Sequence, residues 1–381
     1  YHTFLVYNRL MLKIVEITKK DEWDGFVFKY GHPLQMWGWG DLKSQNPTWK
    51  VVRIFIKNGS EEPKKKEKYS DVVAAAQILI RKLPWPLRSF AYIPRGAVII
   101  SKKPQERAKI LNFIAEYCQK EIKPRPVALS IEPDWEEQDF SGKELLEKGW
   151  KRAKNTILIP RTLILDLTQS EEKLMADMTK NNRQIVRKSS EKATVRQIKT
   201  PAELEAALDI YEETAQRAGF AIHSRKYYQK LFELMGDNAP IYGAFVKNST
   251  PKSQDKREET KQNLTQLEKI HDREELVGFS WIAKSQKTAF ELYGGSNELG
   301  RSTRANYILK WLVLIQMKNA GIERYDMNGL LNDGISKFKS KFAHHENMLA
   351  GTFDKPLSSW YWLWSHGLPT FKKIIRTIRN N

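Results

Sequence analysis

Short runs of apolar residues alternate with longer stretches of helical spacing in the first half of the chain. The runs VVRIFIK (51–57), FAYIPRGAVII (90–100) and PVALSIEP (126–133) predict strands. The spacing of apolar positions predicts helices from about Ser70 to Leu83 and from about Pro104 to Glu121, and Pro104 suits the first turn of a helix. Strands that alternate with helices indicate a mixed α/β unit.

The second half of the chain repeats this layout. The pattern first predicts a strand at 162–168, a helix that opens at Ser170, and a basic helix and a strand within 180–199. Helices at about 201–218 and 224–236 come next, followed by three apolar strands, APIYGAFVK, LVGFSWIAK and TAFELYGGS. A helix at about 303–320 and a strand in RYDMNG complete the order. Each half closes with a strand, a helix rich in Ile and Leu, and another strand. Two copies of one mixed α/β unit are the simplest account of this order.

A polar segment at about 248–275 interrupts two of the predicted strands. Its sequence, NSTPKSQDKREETKQNLTQLEKIHDREE, is nearly all polar and lacks a sustained heptad pattern. A segment of this composition buries too little apolar surface to form a core of its own. We therefore interpret it as an exposed hairpin insertion that is partly helical or disordered.

Composition indicates a folded, metal-free protein of a reducing compartment. The 381 residues are 41% hydrophobic and include 12 Trp, which is enough apolar material for two cores and too much for a disordered chain. A single cysteine, Cys118, excludes a disulfide framework and a cysteine-based zinc site, and the seven His show no metal-ligand spacing. The sequence contains no long apolar run and no signal peptide, and Met11 resembles a natural start. These features predict a cytoplasmic protein.

Positive charge is the strongest compositional signal. Lys and Arg number 64 against 45 Asp and Glu, which gives a net charge of +19. Such an excess favours polyanionic partners, although it also fits a protein that is basic only for solubility. Arg183 and Arg187 are four residues apart and share a face of the predicted basic helix, and Lys188 forms a second such pair with Lys192. We interpret this helix as a phosphate-contacting surface; the alternative is a solvated helix face.

Aromatic residues cluster near the C-terminus. Trp360, Trp362 and Trp364 precede the segment 371–379, in which Phe and Ile recur at helical spacing among Lys and Arg. Aromatic rings beside a basic amphipathic helix are typical of contact with an anionic membrane face. The alternative is that the Trp cluster packs on the domain and that the helix caps it.

Several familiar catalytic motifs are absent from the sequence. It contains no GxxxxGK[ST], GxSxG, HExxH or CxxC pattern. Acid–base and electrostatic catalysis are the chemistry that remains for a site without metal or reactive cysteine.

Six segments, taken together and in order, resemble the Fem family of bacterial peptidoglycan-bridge aminoacyltransferases. They are PLQMWGWGDLK (33–43), YIPRGAV (92–98), LDLTQSEEKLMADMTKNNRQIVRKS (165–189), YEETAQRAGFAIHSRKYYQKL (211–231), LYGGSN (292–297) and ISKFKSKF (335–342). The resemblance runs from about residue 30 to about residue 345. Each motif is weak alone, but six in this order are specific.

The resemblance implies an α/β fold of mixed sheets, with two tandem GNAT-like acyltransferase domains of which the first is completed by the C-terminal segment. The implied domains are 11–155 with 345–381, which binds the precursor, and 156–344. The implied reaction moves Gly, Ala or Ser from aminoacyl-tRNA to an amine of the peptidoglycan precursor stem peptide, carried on lipid or on UDP, without a cofactor. A basic surface for tRNA and a tail at the cytoplasmic membrane face agree with the charge pattern.

The resemblance also implies substrate-binding residues. Lys43 falls where the W-x-x-x-K pattern of the family places a lysine near the phosphates of the precursor, and Tyr227 matches a tyrosine that contacts substrate. His223 stands where the family often has an arginine, and Arg225 is the candidate to replace it. Tyr293 matches a tyrosine that lines the acceptor channel. The alternatives are an ordinary surface lysine at 43 and a core aromatic residue at 293.

Lys339, in the pattern F-K-x-x-F, is the catalytic residue that the resemblance implies. Attack of an amine on an aminoacyl ester builds an oxyanion, which a fixed cation stabilises. Phe338 and Phe342 would hold the helix of Lys339 in the core, whereas the alternative is a solvated lysine. Glu132 and Asp134 are the candidates for a general base, and substrate-assisted proton transfer is the alternative to both.

Three other functions fit parts of the pattern. A GNAT-fold N-acyltransferase that uses acyl-CoA would need a Q/R-x-x-G-x-G/A loop, and the segment 294–301 does not have that spacing. A non-catalytic module that binds tRNA or membranes would leave FKSKF and LYGGSN unexplained. A protein N-terminal aminoacyltransferase shares the donor, but the aromatic and basic tail favours a lipid-linked acceptor.

Overall fold

Two mixed β-sheets with flanking helices make up the described part of the protein. The computed structural model describes residues 12–59, 68–153, 156–247, 274–331 and 333–367. Met11, nearly all of the predicted insertion and the predicted basic helix at 371–379 lie outside these ranges. None of the helices within them combines the length and the apolar character needed to span a bilayer.

The first sheet joins strands from both ends of the described chain. Its strands are β1 (Leu12–Glu16), β2 (Trp49–Asn58), β3 (Val72–Lys82), β4 (Ser89–Pro94), β5 (Val98–Ile99), β6 (Pro126–Glu132), β7 (Lys151–Arg152) and β16 (Phe353–Pro356). Their order is β1-β2-β3-β4-β6-β16-β7, with β5 paired to β3; β4 and β6 run parallel and the other pairs antiparallel. Because β16 lies between β6 and β7, the C-terminal segment completes this sheet, as predicted.

The helix predicted from about Ser70 to Leu83 is wrong, because this segment forms strand β3. It pairs with β2 on one side and with β4 and β5 on the other, and residues 74–80 are all buried. A strand that is buried on both faces loses the alternation of apolar and polar positions, so its sequence, VVAAAQILI, fits a helix equally well.

The two faces of the first sheet are covered differently. On one face, α3 (Pro104–Lys120) packs against side chains such as Ile78 and Ile93. On the other face, α1 (Lys20–Tyr30) and α2 (Trp37–Ser44) pack over one end of β2 and β3. The side chains further along the strands on that face form a small separate cluster, which consists of Leu79, Phe90 and Tyr92 with Trp49, Val51, Leu83 and Trp364 at its margin.

The second sheet is built from the middle of the chain. Its strands are β9 (Ile164–Asp166), β10 (Thr194–Ile198), β11 (Ile241–Lys247), β12 (Glu274–Lys284), β13 (Thr288–Ser296) and β14 (Arg324–Asp326), in the order β10-β11-β12-β13-β14-β9. A separate two-stranded sheet pairs β8 (Arg161–Thr162) with β15 (Asn347–Met348). The predicted domain boundaries, between residues 155 and 156 and between residues 344 and 345, stay a prediction. Strand β7 of the first sheet ends before residue 155, and strand β9 of the second sheet begins after residue 156.

The helices that accompany the second sheet follow the predicted order closely. The remaining helices are α4 (Ser141–Glu147) in the first domain and, in the second, α5 (Glu171–Ala176), α6 (Lys180–Ser189), α7 (Pro201–Ala218), α8 (Arg225–Met235), α9 (Glu298–Ser302), α10 (Ala305–Asn319) and α11 (Gly334–Lys339). Ser170 caps α5, as its sequence predicts, and α7 starts with a capping box of Thr200 and Glu203. Gly219, at φ 71°, ends α7 in the left-handed conformation that glycine adopts at little cost.

One hydrophobic core spans both domains. Trp23 of α1 and Trp281 of β12 are fully buried members of the same cluster, and α2 packs directly on α8. Each indole N–H donates to a backbone carbonyl, Trp23 to Gln35 at 2.8 Å and Trp281 to Ala239 at 2.9 Å. This shared core fixes the two domains against each other.

A charged contact also joins the two domains. Arg324 of β14 binds both carboxylate oxygens of Asp134, which follows β6, and one of these contacts is 3.0 Å long. Burial alone would raise the pKa of the Asp134 carboxyl, but the Arg324 guanidinium outweighs burial and holds this pKa well below its usual range. Burial lowers the pKa of the neighbouring His32 to about 3, so that ring is neutral at physiological pH.

We expect Arg324→Met to lower the free energy of unfolding by about 2 kcal/mol, because it leaves the partly buried Asp134 carboxylate without its cation. The matched control is Lys287→Met, which removes an exposed pair with Glu323 and should cost less than about 0.5 kcal/mol. Denaturant unfolding of both variants measures the difference. Equal losses in the two variants would contradict a stabilising role for the Arg324 contact.

Candidate active site

A cleft of about 1720 Å³ opens between the two domains over the uncovered end of the first sheet. Its lining comes from the first sheet, from the end of α2, from the start of α8 and from the C-terminal segment. The charged lining residues are Lys43, Arg81, Lys151, Arg152, Lys226, Lys230 and Asp354. Among the described residues that line the cleft, cations therefore outnumber carboxylates strongly, which suits an anionic ligand.

Lys43 lies at the contact between α2 and α8. Its Nζ donates a hydrogen bond to the Tyr227 hydroxyl at 2.8 Å and lies 4.5 Å from the centroid of the Trp39 ring. Burial lowers the pKa of the Lys43 ammonium to about 8. Within the described ranges Lys43 has a hydroxyl and aromatic rings, but no carboxylate, as partners, so its charge is available to a ligand.

An aromatic cluster supports Tyr227 from behind. The His223 ring stacks on Tyr227 at a centroid distance of 4.0 Å, and the rings of Tyr227 and Tyr293 both pack edge to face against Tyr228. Burial, and then the charge of Lys43, lowers the pKa of His223, which keeps that ring neutral at physiological pH. The structure thus brings together Lys43, His223, Tyr227 and Tyr293, four of the residues predicted to bind substrate.

The structure does not bring Arg225 to the cleft. Its guanidinium binds the carboxylates of Glu205, Asp209 and Glu212 on α7, with contacts of 2.5 to 3.0 Å. These hydrogen bonds, led by the one to Glu212, raise the pKa of Arg225 above its usual value. Lys226 and Lys230 face the cleft instead. Neither lysine belongs to the motif around Tyr227, although their spacing of four residues places them on one face of a helix.

Lys339 is not among the residues that line the cleft. Its Nζ donates to the carbonyls of Met327 and Asn328 and approaches that of Gly329 at 3.5 Å, so it holds the loop that follows β14. Burial lowers the pKa of its ammonium. Phe338 and Phe342 pack edge to face, with centroids 5.3 Å apart.

Glu132 is held by the fold at the junction between the domains. Its buried carboxylate accepts hydrogen bonds from the backbone N–H of Ile157 (2.7 Å) and Leu158, from the Thr352 hydroxyl (2.6 Å) and from the Tyr92 hydroxyl. The other base candidate, Asp134, is bound by Arg324. The donors on Glu132 fill most of its acceptor positions, and the guanidinium on Asp134 stabilises the ionised carboxylate and so lowers its basicity.

Asp354, on β16, is the carboxylate that the described residues contribute to the cleft lining. It accepts hydrogen bonds from the hydroxyls of Ser130 and Tyr361, the latter at 3.1 Å, and burial raises its pKa. No local pattern in the sequence points to Asp354, because only the pairing of β16 with β6 brings it to the cleft.

The basic helix α6 lies away from the cleft lining. Arg183 donates to the backbone carbonyls of Ala176 (2.9 Å) and Met178 (2.5 Å), whereas Arg187 and Lys188 are exposed. Arg183 and Arg187 also border a surface hollow of about 650 Å³ beside Trp311. The exposed cations of α6 are therefore Lys180, Arg187 and Lys188, whereas Arg183 is held by the end of α5. The described residues contain no group of three or more His, Cys, Asp or Glu side chains that could hold a metal.

Paired mixed sheets with a cleft between them define a two-domain fold of the GNAT-like class. The crystal structure of FemX superposes with a TM-score of 0.72 at 20% identity, over 90% of this chain and 96% of that one. A conserved protein of unknown function from Bacteroides thetaiotaomicron superposes with a TM-score of 0.53 at 12% identity, over 90% and 99% of the two chains. These likenesses confirm the predicted fold.

The FemAB family model matches residues 148–280 and 246–366. The chain belongs to the FemAB family, and it is an acyltransferase of the aminoacyltransferase type, as the six segments predicted. The lipid II:glycine glycyltransferase of Staphylococcus aureus strain USA300 is 21% identical to it over 88% of this chain and 91% of that protein. The same enzyme of strain Mu50 is 21% identical over 87% and 90% of the two chains.

We expect the affinity of the cleft for inorganic pyrophosphate to fall as the pH rises through about 8, because the pKa of Lys43 is lowered to about 8 and the neutral amine attracts no anion. Titration calorimetry of the wild type and of Lys43→Met at each pH gives a ratio of affinities that cancels the ionisation of pyrophosphate itself. This ratio should be at least about fivefold near pH 7 and approach one at high pH.

The control for this experiment is Lys50→Met, which changes an exposed lysine outside the cleft lining. It should bind pyrophosphate like the wild type throughout. A ratio that stays constant with pH would show that Lys43 does not supply the titrating charge.

Proposed function

We propose that this protein transfers an amino acid, glycine first among the candidates, from aminoacyl-tRNA to an amine of a lipid-linked peptidoglycan precursor in the synthesis of the interpeptide bridge. The single observation that carries the proposal is the cationic cleft, in which Lys43 meets Tyr227 between the two domains. Membership of the FemAB family and similarity to lipid II:glycine glycyltransferases along nearly the whole chain support the choice of donor group and acceptor.

The proposed step replaces an ester bond with an amide bond. The acceptor amine attacks the ester carbonyl, the new C–N bond forms, and the ester oxygen leaves with the tRNA. The amine loses a proton and the leaving oxygen gains one, so the reaction needs no oxidant, reductant or external energy source. The positive cleft is suited to the phosphates of the precursor, which would orient the stem peptide for attack.

Lys339 is our candidate for the cation of this reaction. Its ammonium already binds carbonyl oxygens in a row, at residues 327–329. The same donor geometry would stabilise the oxyanion of the tetrahedral intermediate once one of these carbonyls is replaced. Whether or not it also stabilises the oxyanion, Lys339 holds the loop after β14 through these carbonyl contacts.

Two surfaces fit the remaining partners. Arg187 and Lys188 give α6 an exposed cationic face suited to the phosphates of tRNA. Trp360 and Trp362 are 45% and 69% exposed on the C-terminal segment, which suits peripheral contact with the cytoplasmic face of the membrane.

The test of this function incubates the purified protein with a pool of charged tRNAs and with either lipid-linked or UDP-linked pentapeptide precursor. Mass spectrometry should find one added amino acid residue on the lipid-linked precursor. Lys339→Met should lower the rate at least about a hundredfold. Lys337→Met, an exposed lysine on the same helix, should leave it unchanged. No mass gain on either precursor would overturn the proposal.

Binding of tRNA provides an independent test of α6. The double variant Arg187→Gln, Lys188→Gln should reduce the slope of log affinity against log salt concentration by about 1 to 2, because two phosphate contacts are lost. Lys143→Gln, Lys148→Gln removes the same charge from exposed positions at α4 and should keep the slope. Equal slopes for the two double variants would exclude α6 as the tRNA surface.

A further inference from the structure

The floor of the cleft is apolar, in contrast to its cationic wall. It is formed by Leu79 of β3 and by Phe90 and Tyr92 of β4, all on the face of the first sheet that α1 and α2 leave open. Leu79 and Phe90 have no polar side-chain atom, and the Tyr92 hydroxyl is occupied by Glu132. We call these three residues, with Trp49, Leu83 and Trp364, the apolar floor.

Aromatic stacking gives the apolar floor a defined shape. The Trp364 ring stacks on Phe90 with centroids 4.4 Å apart, and Phe90 is nearly parallel to Tyr92 at 6.5 Å. Trp364 belongs to the C-terminal segment, which the hydrogen bond from Tyr361 to Asp354 ties to β16. Trp49, Leu83 and Trp364 remain partly exposed, so hydrocarbon from a ligand can reach the surface that they present.

The cationic wall and the apolar floor belong to one cavity. Lys43, Lys226 and Lys230 line the same cleft of about 1720 Å³ as Leu79, Phe90 and Trp364. Pockets for a single small ligand usually measure about 300–1,000 Å³, so this cleft has room for a second moiety. A ligand that satisfies both regions has an anionic head and a hydrocarbon tail.

We propose that the apolar floor is a prenyl subsite, which holds the first isoprene units of a polyprenyl diphosphate while the lysines of the wall hold its diphosphate. The proposal rests on the proposed function and adds to it the part of the chain that selects the carrier. Burial of apolar surface contributes about 25 cal/mol per Å², so a few isoprene units outweigh the loss of a nucleotide's hydrogen bonds. A nucleotide carrier would instead place a polar base against a surface of rings and aliphatic side chains, which offers it only the indole N–H groups of Trp49 and Trp364 and the bound hydroxyl of Tyr92.

Two soluble probes separate the head from the tail. Inorganic pyrophosphate has only the head, and farnesyl diphosphate carries the same head with three isoprene units. Titration calorimetry is carried out with farnesyl diphosphate below its critical micelle concentration. The affinity of the wild-type protein for farnesyl diphosphate should be at least about tenfold higher than its affinity for pyrophosphate. Trp364→Ala should remove most of this preference without changing the affinity for pyrophosphate. Leu83→Ser, at a second partly exposed position of the floor, should act in the same direction.

Trp85→Ala is the matched control, because Trp85 is 84% exposed and lies outside the cleft lining. It should keep the full preference for farnesyl diphosphate, whereas a loss equal to that of Trp364→Ala would mean that the probe binds apolar surface indiscriminately. Equal affinities of the two probes for the wild type would overturn the subsite. Loss of pyrophosphate binding in both floor variants, with unchanged thermal melting, would also overturn it.

Kinetics distinguish failure of the subsite from failure of the proposed function. With the lipid-linked precursor, Trp364→Ala should raise KM at least tenfold with little change in kcat, and with the UDP-linked precursor it should change neither. Transfer that persists with an unchanged KM for the lipid-linked precursor would refute the subsite alone. Absence of transfer by the wild type to either precursor would refute the proposed function, while the binding preference of the two probes would still decide the subsite.

Discussion

The cleft depends on one packing constraint, the position of α1 and α2 between the two sheets. These helices cover one end of an otherwise open sheet face, and they reach α8 of the second domain from their other side. Had they covered the whole face, Leu79 and Phe90 would lie in a closed core. Since they stop short, the sheet itself becomes the floor of a cavity, and the last turn of α2 delivers Lys43 to Tyr227.

Electrostatic pairing distinguishes Arg225 and Arg324, which hold the fold, from Lys43, which is free to bind an anion. Arg225 and Arg324 are each held by carboxylates, and their pKa values are raised, the first chiefly by its hydrogen bond to Glu212 and the second by Asp134 against the effect of burial. Lys43 is held against aromatic rings and a hydroxyl, and burial lowers its pKa. The cost of removing water from the Lys43 ammonium is already met by the fold. A bound anion therefore stabilises this ammonium without a further desolvation cost on the lysine.

The sequence predicts much of the fold, and it fails where long-range contacts decide. Helices α3, α7 and α8 and the cap at Ser170 follow from local patterns, because periodicity and capping are properties of neighbouring residues. Strand β3 is mistaken for a helix because burial on both faces removes the alternation of apolar and polar positions that identifies a strand. The predicted substrate-binding group was largely brought together, but Arg225 turned to α7, whose acidic face is not apparent from the motif around Tyr227. Asp354 was beyond reach, because its place depends on a strand pairing across 224 positions.

That pairing has a consequence for how the chain is made. Ser130 and Asp354 are 224 positions apart, and a ribosome adds about 5–20 residues per second, so β6 waits roughly 10–45 s for β16 to emerge. During this interval the edge of β6 that β16 will cover has open hydrogen-bonding groups, while the second domain is synthesised in full. The first domain therefore closes last although it is made first, and its unfinished edge is the point at which a nascent chain is most exposed to aggregation.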